Sequence, residues 1–117
     1  MRNLIKDLSD HDRAILIGGA ESDPDEDHFV SEWSSSSIFP ADAGADELIS
    51  ALRAAYLLAH ISIREIRAHT GLSQAAFAAR YMIPRRSIEN WESGSRECPS
   101  YVRRLLAIQT GAVPDVL

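Results

Sequence analysis

From Ala45 onward the apolar positions of this chain keep a helical spacing. Leu48, Ile49, Leu52, Ala55, Tyr56 and Ala59 fall at i, i+1, i+4, i+7, i+8 and i+11. Those positions form one broad stripe on a helix, so a helix is predicted over 45–60. Ser62 and Glu65 stand at the Ser-x-x-Glu spacing in which each side chain accepts from the other's backbone N–H. A second helix is predicted from there over 63–70, stopping at Gly71. Ser73 can cap a third, whose packing face is Phe77 with the small Ala76 and Ala78. The pattern breaks at Tyr81-Met82-Ile83. Pro84 then opens a fourth helix, where its missing N–H has no partner to lose. Ile88 and Trp91 lie three apart and share its inner face, and Gly94 ends it. Pro99 opens a last helix, with Tyr101, Val102, Leu105, Leu106 and Ile108 predicted inward and a stop at Thr110-Gly111.

The first 43 residues are less periodic. Ser9 can cap a turn beginning Asp10-His11-Asp12, acids that suit the positive end of a helix. Ala14 to Ile17 continues it to Gly18-Gly19. Residues 20–28 read as an acidic loop. Residues 28–33 read as a short strand with Phe29, Ser31 and Trp33 on one face. Ser34 to Ser37 is a polar linker, and Ile38-Phe39-Pro40 an anchor on the folded part. This segment holds too many large apolar residues for a disordered tail. It is expected to be ordered across a dimer mate or a partner protein, with Phe29 and Trp33 as anchors. The expected division is therefore an acidic extension over 1–43, a helical domain over 44–111 and a tail over 112–117.

Charge changes the picture. The chain of 117 residues has a net charge of −5, which taken whole disfavours a polyanion partner. The charge is uneven, however: residues 60–110 carry eight arginines against four glutamates, and residues 1–59 four basic against twelve acidic residues. A basic half beside an acidic half points to one charged binding face. No apolar run approaches the ~20 residues of a membrane span. The N-terminus is charged too early for a signal peptide. The expected location is cytoplasmic, with no membrane partner.

Enzyme and metal chemistry find little footing. The lone Cys98 allows neither an internal disulfide nor a Cys-x-x-Cys pair. Asp23, Asp25 and Asp27 match the start of a calcium loop, but positions six and twelve hold His28 and Ser34 in place of Gly and Glu. No two of His11, His28, His60 and His69 stand three or four apart. There is no nucleophile motif and no Gly-rich phosphate loop. No catalysis, cofactor or metal is expected.

The stretch 72–94 is laid out as a helix-turn-helix, the arrangement that sets a second helix into a DNA major groove. With Ile88 and Trp91 inward, Arg85, Arg86, Ser87, Glu89 and Asn90 point out near that helix's N-terminus. Two arginines there oppose the helix dipole, so helix stability does not explain them and a polyanion does. Arg can fork onto guanine O6 and N7, and Asn onto adenine.

Ile63 to Pro99 resembles the Cro/C1-type (Xre-type) helix-turn-helix domain. The matching residues are Ile63-Arg64-Glu65-Ile66-Arg67, Gly71-Leu72-Ser73-Gln74, Phe77-Ala78, Ile83, Ile88, Trp91-Glu92, Gly94 and Pro99. Within that family it looks closest to HigA-like antitoxins and repressors. Three departures stand out: Met82 where the family has Gly, Pro84 where Ser or Thr is common, and Glu97-Cys98 in place of a basic pair. The resemblance implies an all-α, lambda-repressor-like bundle. It also implies an Arg67–Glu92 ion pair that locks the reading helix, with Phe77, Ile88 and Trp91 as core. Ser73 and Gln74 would meet the DNA backbone at one end, Ser93 and Arg96 at the other. The implied partners are a double-stranded DNA operator, a second copy of the chain and a cognate toxin. The implied role is an autoregulating repressor that reads a palindrome through helix 84–93. The alternatives are a phage or mobile-element regulator without a toxin, and a protein-binding adaptor that has lost DNA affinity.

Overall fold

The computed structural model describes residues 2–117. Among those residues it is all-helical: α1 (Asp10–Ser22), α2 (Glu26–Trp33), α3 (Ala45–His60), α4 (Ile63–Thr70), α5 (Gln74–Arg80), α6 (Arg85–Ser93) and α7 (Ser100–Gln109). They fall into two compact units. One comprises the residues up to 60 together with 114–117; the other comprises 61–113.

In the first unit α3 packs against both α1 and α2. Leu16, Ile17 and Ala20 of α1, Phe29 and Val30 of α2, and Leu52, Ala55, Leu58 and Ala59 of α3 are buried. Leu4 and Ile5 before α1, Phe39 after α2 and Val116 of the tail are buried too. The tail is strapped down: Asn3 Nδ2 donates to the Asp115 carbonyl at 2.8 Å, and Lys6 pairs with the Asp115 carboxylate at 3.0 Å.

Four expectations are corrected here. Residues 28–33 are helix, not strand. The Asp25 side chain caps α2 by accepting from the Asp27 and His28 N–H groups. The spacing of Phe29, Val30 and Trp33 fits one face of a helix, whereas alternation would have buried Ser31. Second, α1 does not stop at Gly18-Gly19 but runs on to Ser22. The Trp33 indole lies so close to Gly19 that a Cβ there would sit 2.9 Å from its ring. Glycine costs helix propensity, and here it makes room for the aromatic. Third, Phe29 is no anchor for a partner. It is wholly buried within its own chain, against Trp33 and Tyr56 at ring distances of 6.2 and 5.7 Å. Fourth, α3 does not group with the helix-turn-helix, as the division at 43/44 has it. Its buried face is covered by the two N-terminal helices, because an apolar stripe goes with the elements that remove it from water. On that stripe Ile49 remains exposed and Leu58 is buried instead.

The second unit has its core in Ile63 and Ile66 of α4, Phe77 and Ala78 of α5, Ile88 of α6, and Leu106 and Ala107 of α7. Ser62 and Glu65 form the predicted capping box at the head of α4. On α7 the inward face differs from the expected one. Leu106 and Ala107 are buried, while Tyr101 and Leu105 are 64% and 61% exposed. Tyr101 and Leu105 share one helical row, a position ahead of the Val102–Leu106 row, and that step of about 100° turns them to solvent.

Candidate nucleic-acid interface

The site is built on α4, α5 and α6. Ser73 accepts from the Ala76 N–H at 3.1 Å and so caps α5. Phe77 is fully buried and meets Tyr81 at a ring distance of 4.9 Å. The turn to α6 passes through Met82 at φ 55°. This is the left-handed conformation that a glycine adopts without strain and a side chain adopts at some cost. The side chain of Met82 is exposed, so the penalty stays local. The Ile83 N–H closes the turn onto the Ala78 carbonyl at 2.9 Å.

Pro84 stands in the N-cap position rather than inside the helix, with φ −55° and ψ 131° and no side-chain cap. The first turn of α6 therefore has neither a capping side chain nor an acidic residue. Arg85 and Arg86 project from that turn into solvent. Arg85 pairs with Glu89, four residues on, at 3.0 Å. Cation before acid is the weaker order for such a pair, because both charges then oppose the helix dipole. Arg86 makes no ion pair among the described residues. This end of α6 combines free backbone donors, the positive helix pole and two guanidinium groups, a combination that attracts anions.

α6 is held by a polar clamp. The Glu92 side chain is 1% exposed. Its two oxygens accept from Arg67 Nε at 2.7 Å and Arg67 Nη2 at 2.8 Å, a bidentate fork. Gln74 Nε2 reaches Glu92 at 3.4 Å, and Arg64 Nε lies 3.6 Å from it. Arg67 Nη1 also donates to the Leu72 carbonyl at 3.0 Å. One guanidinium thus ties α4, the turn after it and α6 together. Hydrogen bonding to Arg67 holds the Glu92 carboxyl below its ordinary range, against the opposing effect of burial, and Glu92 raises Arg67 in return.

The remaining predicted residues occupy two other places. Gln74 braces Glu92. Asn90, half-buried with Ser87, faces the turn after α6. Its carbonyl accepts from the Arg96 N–H at 3.2 Å and from Ser93 Oγ at 3.2 Å, and its Oδ1 takes the Ser95 hydroxyl at 3.1 Å. The oxygen that would accept from adenine is therefore already engaged. Gly94 makes this turn possible, with φ 82°. Arg96 has an exposed side chain at the same end. Two basic residues escaped the sequence reading: exposed Arg80 at the end of α5, and Arg64 beside Glu92. Arg64 stands three residues before Arg67, so the two share a helix face, and that spacing was the available signal.

Trp91 corrects a core assignment. It is only half-buried, and Ile88 is the buried apolar residue of α6. A fully buried Trp cut to Ala typically costs ~3–5 kcal/mol. Trp91→Ala is expected to cost about 1–2 kcal/mol, in proportion to the smaller area removed from water. Urea unfolding measures this, and a loss as large as that of Ile88→Ala would return Trp91 to the core.

Residues 63–102, from α4 into the first turn of α7, match the helix-turn-helix family model. No curated protein and no solved structure matches the chain. The second unit thus carries a helix-turn-helix, which supports a DNA-binding transcription regulator. No helix among the described residues is long and apolar enough to cross a membrane.

Proposed function

We propose that this regulator is a repressor that binds a palindromic operator as a two-fold homodimer, reading bases through α6. The observation that carries this is the head of α6. Two exposed arginines stand there against the helix dipole, on a helix that buried Glu92 and Arg67 hold in place. Rigid support under flexible cations is what base reading requires, because a loosely held helix spends contact energy on ordering itself. In this reading Arg85 and Arg86 meet guanine edges, with Ser87 and Glu89 beside them. Glu89 sets the fork of Arg85. Asn90 contributes mainly by shaping the turn that presents Ser93 and Arg96 to a phosphate. Ser73 and Gln74 present the head of α5 to the opposite backbone. One nine-residue helix reads few base pairs, so useful specificity calls for two half-sites and hence two copies. Occupying promoter DNA represses without any chemical step.

The finer role we infer is that of an autoregulating antitoxin. It rests on the family resemblance and on the acidic first unit, whose charge suits a basic protein partner. Co-purification with the product of the adjacent reading frame tests it, and an adjacent frame whose product neither binds nor poisons the cell would overturn it.

The test of the reading helix is binding to the DNA upstream of the chain's own gene. Arg85→Ala and Arg86→Ala are each expected to weaken operator affinity by ~1–3 kcal/mol while leaving the melting temperature unchanged, because each removes an exposed base contact. Fluorescence anisotropy at matched salt reads the affinity. Wild-type affinity in the double variant would rule out α6 as the reader.

A further inference from the structure

We infer that the first unit carries an exchangeable site for a divalent transition-metal ion, zinc above all, formed by Asp23, His28 and Glu32. One ligand atom from each lies within 4.8 Å of the other two. His28 Nδ1 is 2.6 Å from Asp23 Oδ2 and 3.7 Å from Glu32 Oε2. The edges of a tetrahedral zinc site are of the order of 3.4 Å, as follows from metal–ligand distances near 2.1 Å. Small side-chain rotations therefore bring all three atoms to one ion. A nitrogen with two carboxylate oxygens suits zinc and its first-row neighbours, whereas calcium and magnesium favour all-oxygen shells. Two carboxylates and a neutral imidazole also balance a divalent charge.

The ligands are held from behind. His28 and Glu32 stand four apart on α2 and so share a face. Asp23 lies in the turn between α1 and α2, and its side chain is only 13% exposed. Its Oδ1 accepts from the Asp25 N–H at 3.0 Å, which leaves Oδ2 for the site. Its carbonyl accepts from the Tyr56 hydroxyl at 2.9 Å, and Tyr56 stacks on His60 at 4.1 Å. Such outer contacts fix a ligand's orientation before the ion arrives. The three residues also line a cleft of about 400 Å³ with Gly19, Ser22, Pro24 and Trp33, which leaves room for water at the remaining coordination positions. Three protein ligands and an open side distinguish an exchangeable site from the closed four-ligand structural kind. In the metal-free chain the imidazole is drawn toward its protonated form and Asp23 toward its ionised form by the hydrogen bond between them.

The test is titration of the untagged full-length chain with zinc by calorimetry, and with cobalt by visible absorption. One ion per chain is expected, together with a zinc-dependent rise in melting temperature. His28→Gln and Glu32→Gln alter exposed side chains and leave the fold intact by circular dichroism. Each is expected to weaken binding about tenfold or more, since even the loss of a ligand's supporting partner weakens metal sites by about that much, and to remove the thermal shift. Unchanged binding in both variants would place the ion at the other histidines or Cys98 and overturn the site. So would displacement by excess calcium or magnesium, or no saturable binding at millimolar zinc. None of these outcomes depends on how the second unit meets DNA.

Discussion

Arg67→Ala is expected to destabilise the chain by about 3–5 kcal/mol, because it leaves the buried Glu92 carboxylate without its main partner. Gln74 and Arg64 remain near that carboxylate, but Gln74 carries no charge and Arg64 lies 3.6 Å away and largely in solvent. Adding Glu92→Ala removes the stranded charge, so the double variant is expected to recover part of the loss. A double-mutant cycle in urea measures that coupling, and additive losses would show that the two residues act independently. The pair also sets a pH dependence. The folded-state pKa of Glu92 lies below its ordinary value of 4.5. Its contribution is therefore fully present above that value and is lost as pH falls through the lower, folded-state one. Wild type is expected to lose stability across that acid window more steeply than Arg67→Ala. Parallel acid profiles for the two proteins would mean that Glu92 gains nothing from Arg67.

Phe77→Ala is expected to cost about 3–5 kcal/mol as well, through a different cause. The ring is fully buried, and no small rearrangement of a seven-residue helix can fill the space it leaves. Most of a small domain's stability is at stake. Phe77→Leu retains most of the apolar volume and is expected to lose much less. Equilibrium unfolding separates the two variants, and similar midpoints for Ala and Leu would show that the ring is not packed. Because α5 contacts α6, the alanine variant is also expected to bind operator DNA poorly even where it remains folded. That loss should extend to every sequence, unlike the sequence-dependent loss expected of Arg85→Ala.

Much of the second unit is legible along the chain because its signals are local. The Ser62–Glu65 box, the Ser73 cap and the glycines at 71 and 94 each act within one turn, so their spacing is their geometry. The head of α6 is legible for the same reason, since two arginines without an acid in a first turn need an explanation wherever the helix lies. The Arg67–Glu92 pair is different. Its partners stand 25 residues apart, and only family resemblance pointed to them.

What the tertiary structure decided has one common cause: burial depends on what a neighbour covers. Residues 28–33 could alternate or coil, and the groove offered by α1 and α3 selected the helix. Gly18-Gly19 reads as a stop, yet the Trp33 indole needed the space above Gly19. Trp91 has the apolar size of a core residue but is only partly covered, and Tyr101 and Leu105 sit one step outside the covered row of α7. The stripe on α3 is plain from sequence, but not which helices would cover it. His28 and Glu32 stand four apart among acidic neighbours in the sequence, and only the turn between α1 and α2 brings Asp23 to the face they share. The chain's own order thus determined the elements of the second unit, their caps and the charged face of α6. Which faces are shared, and which distant groups meet, followed from packing, because removal from water is a property of pairs of elements and not of either alone.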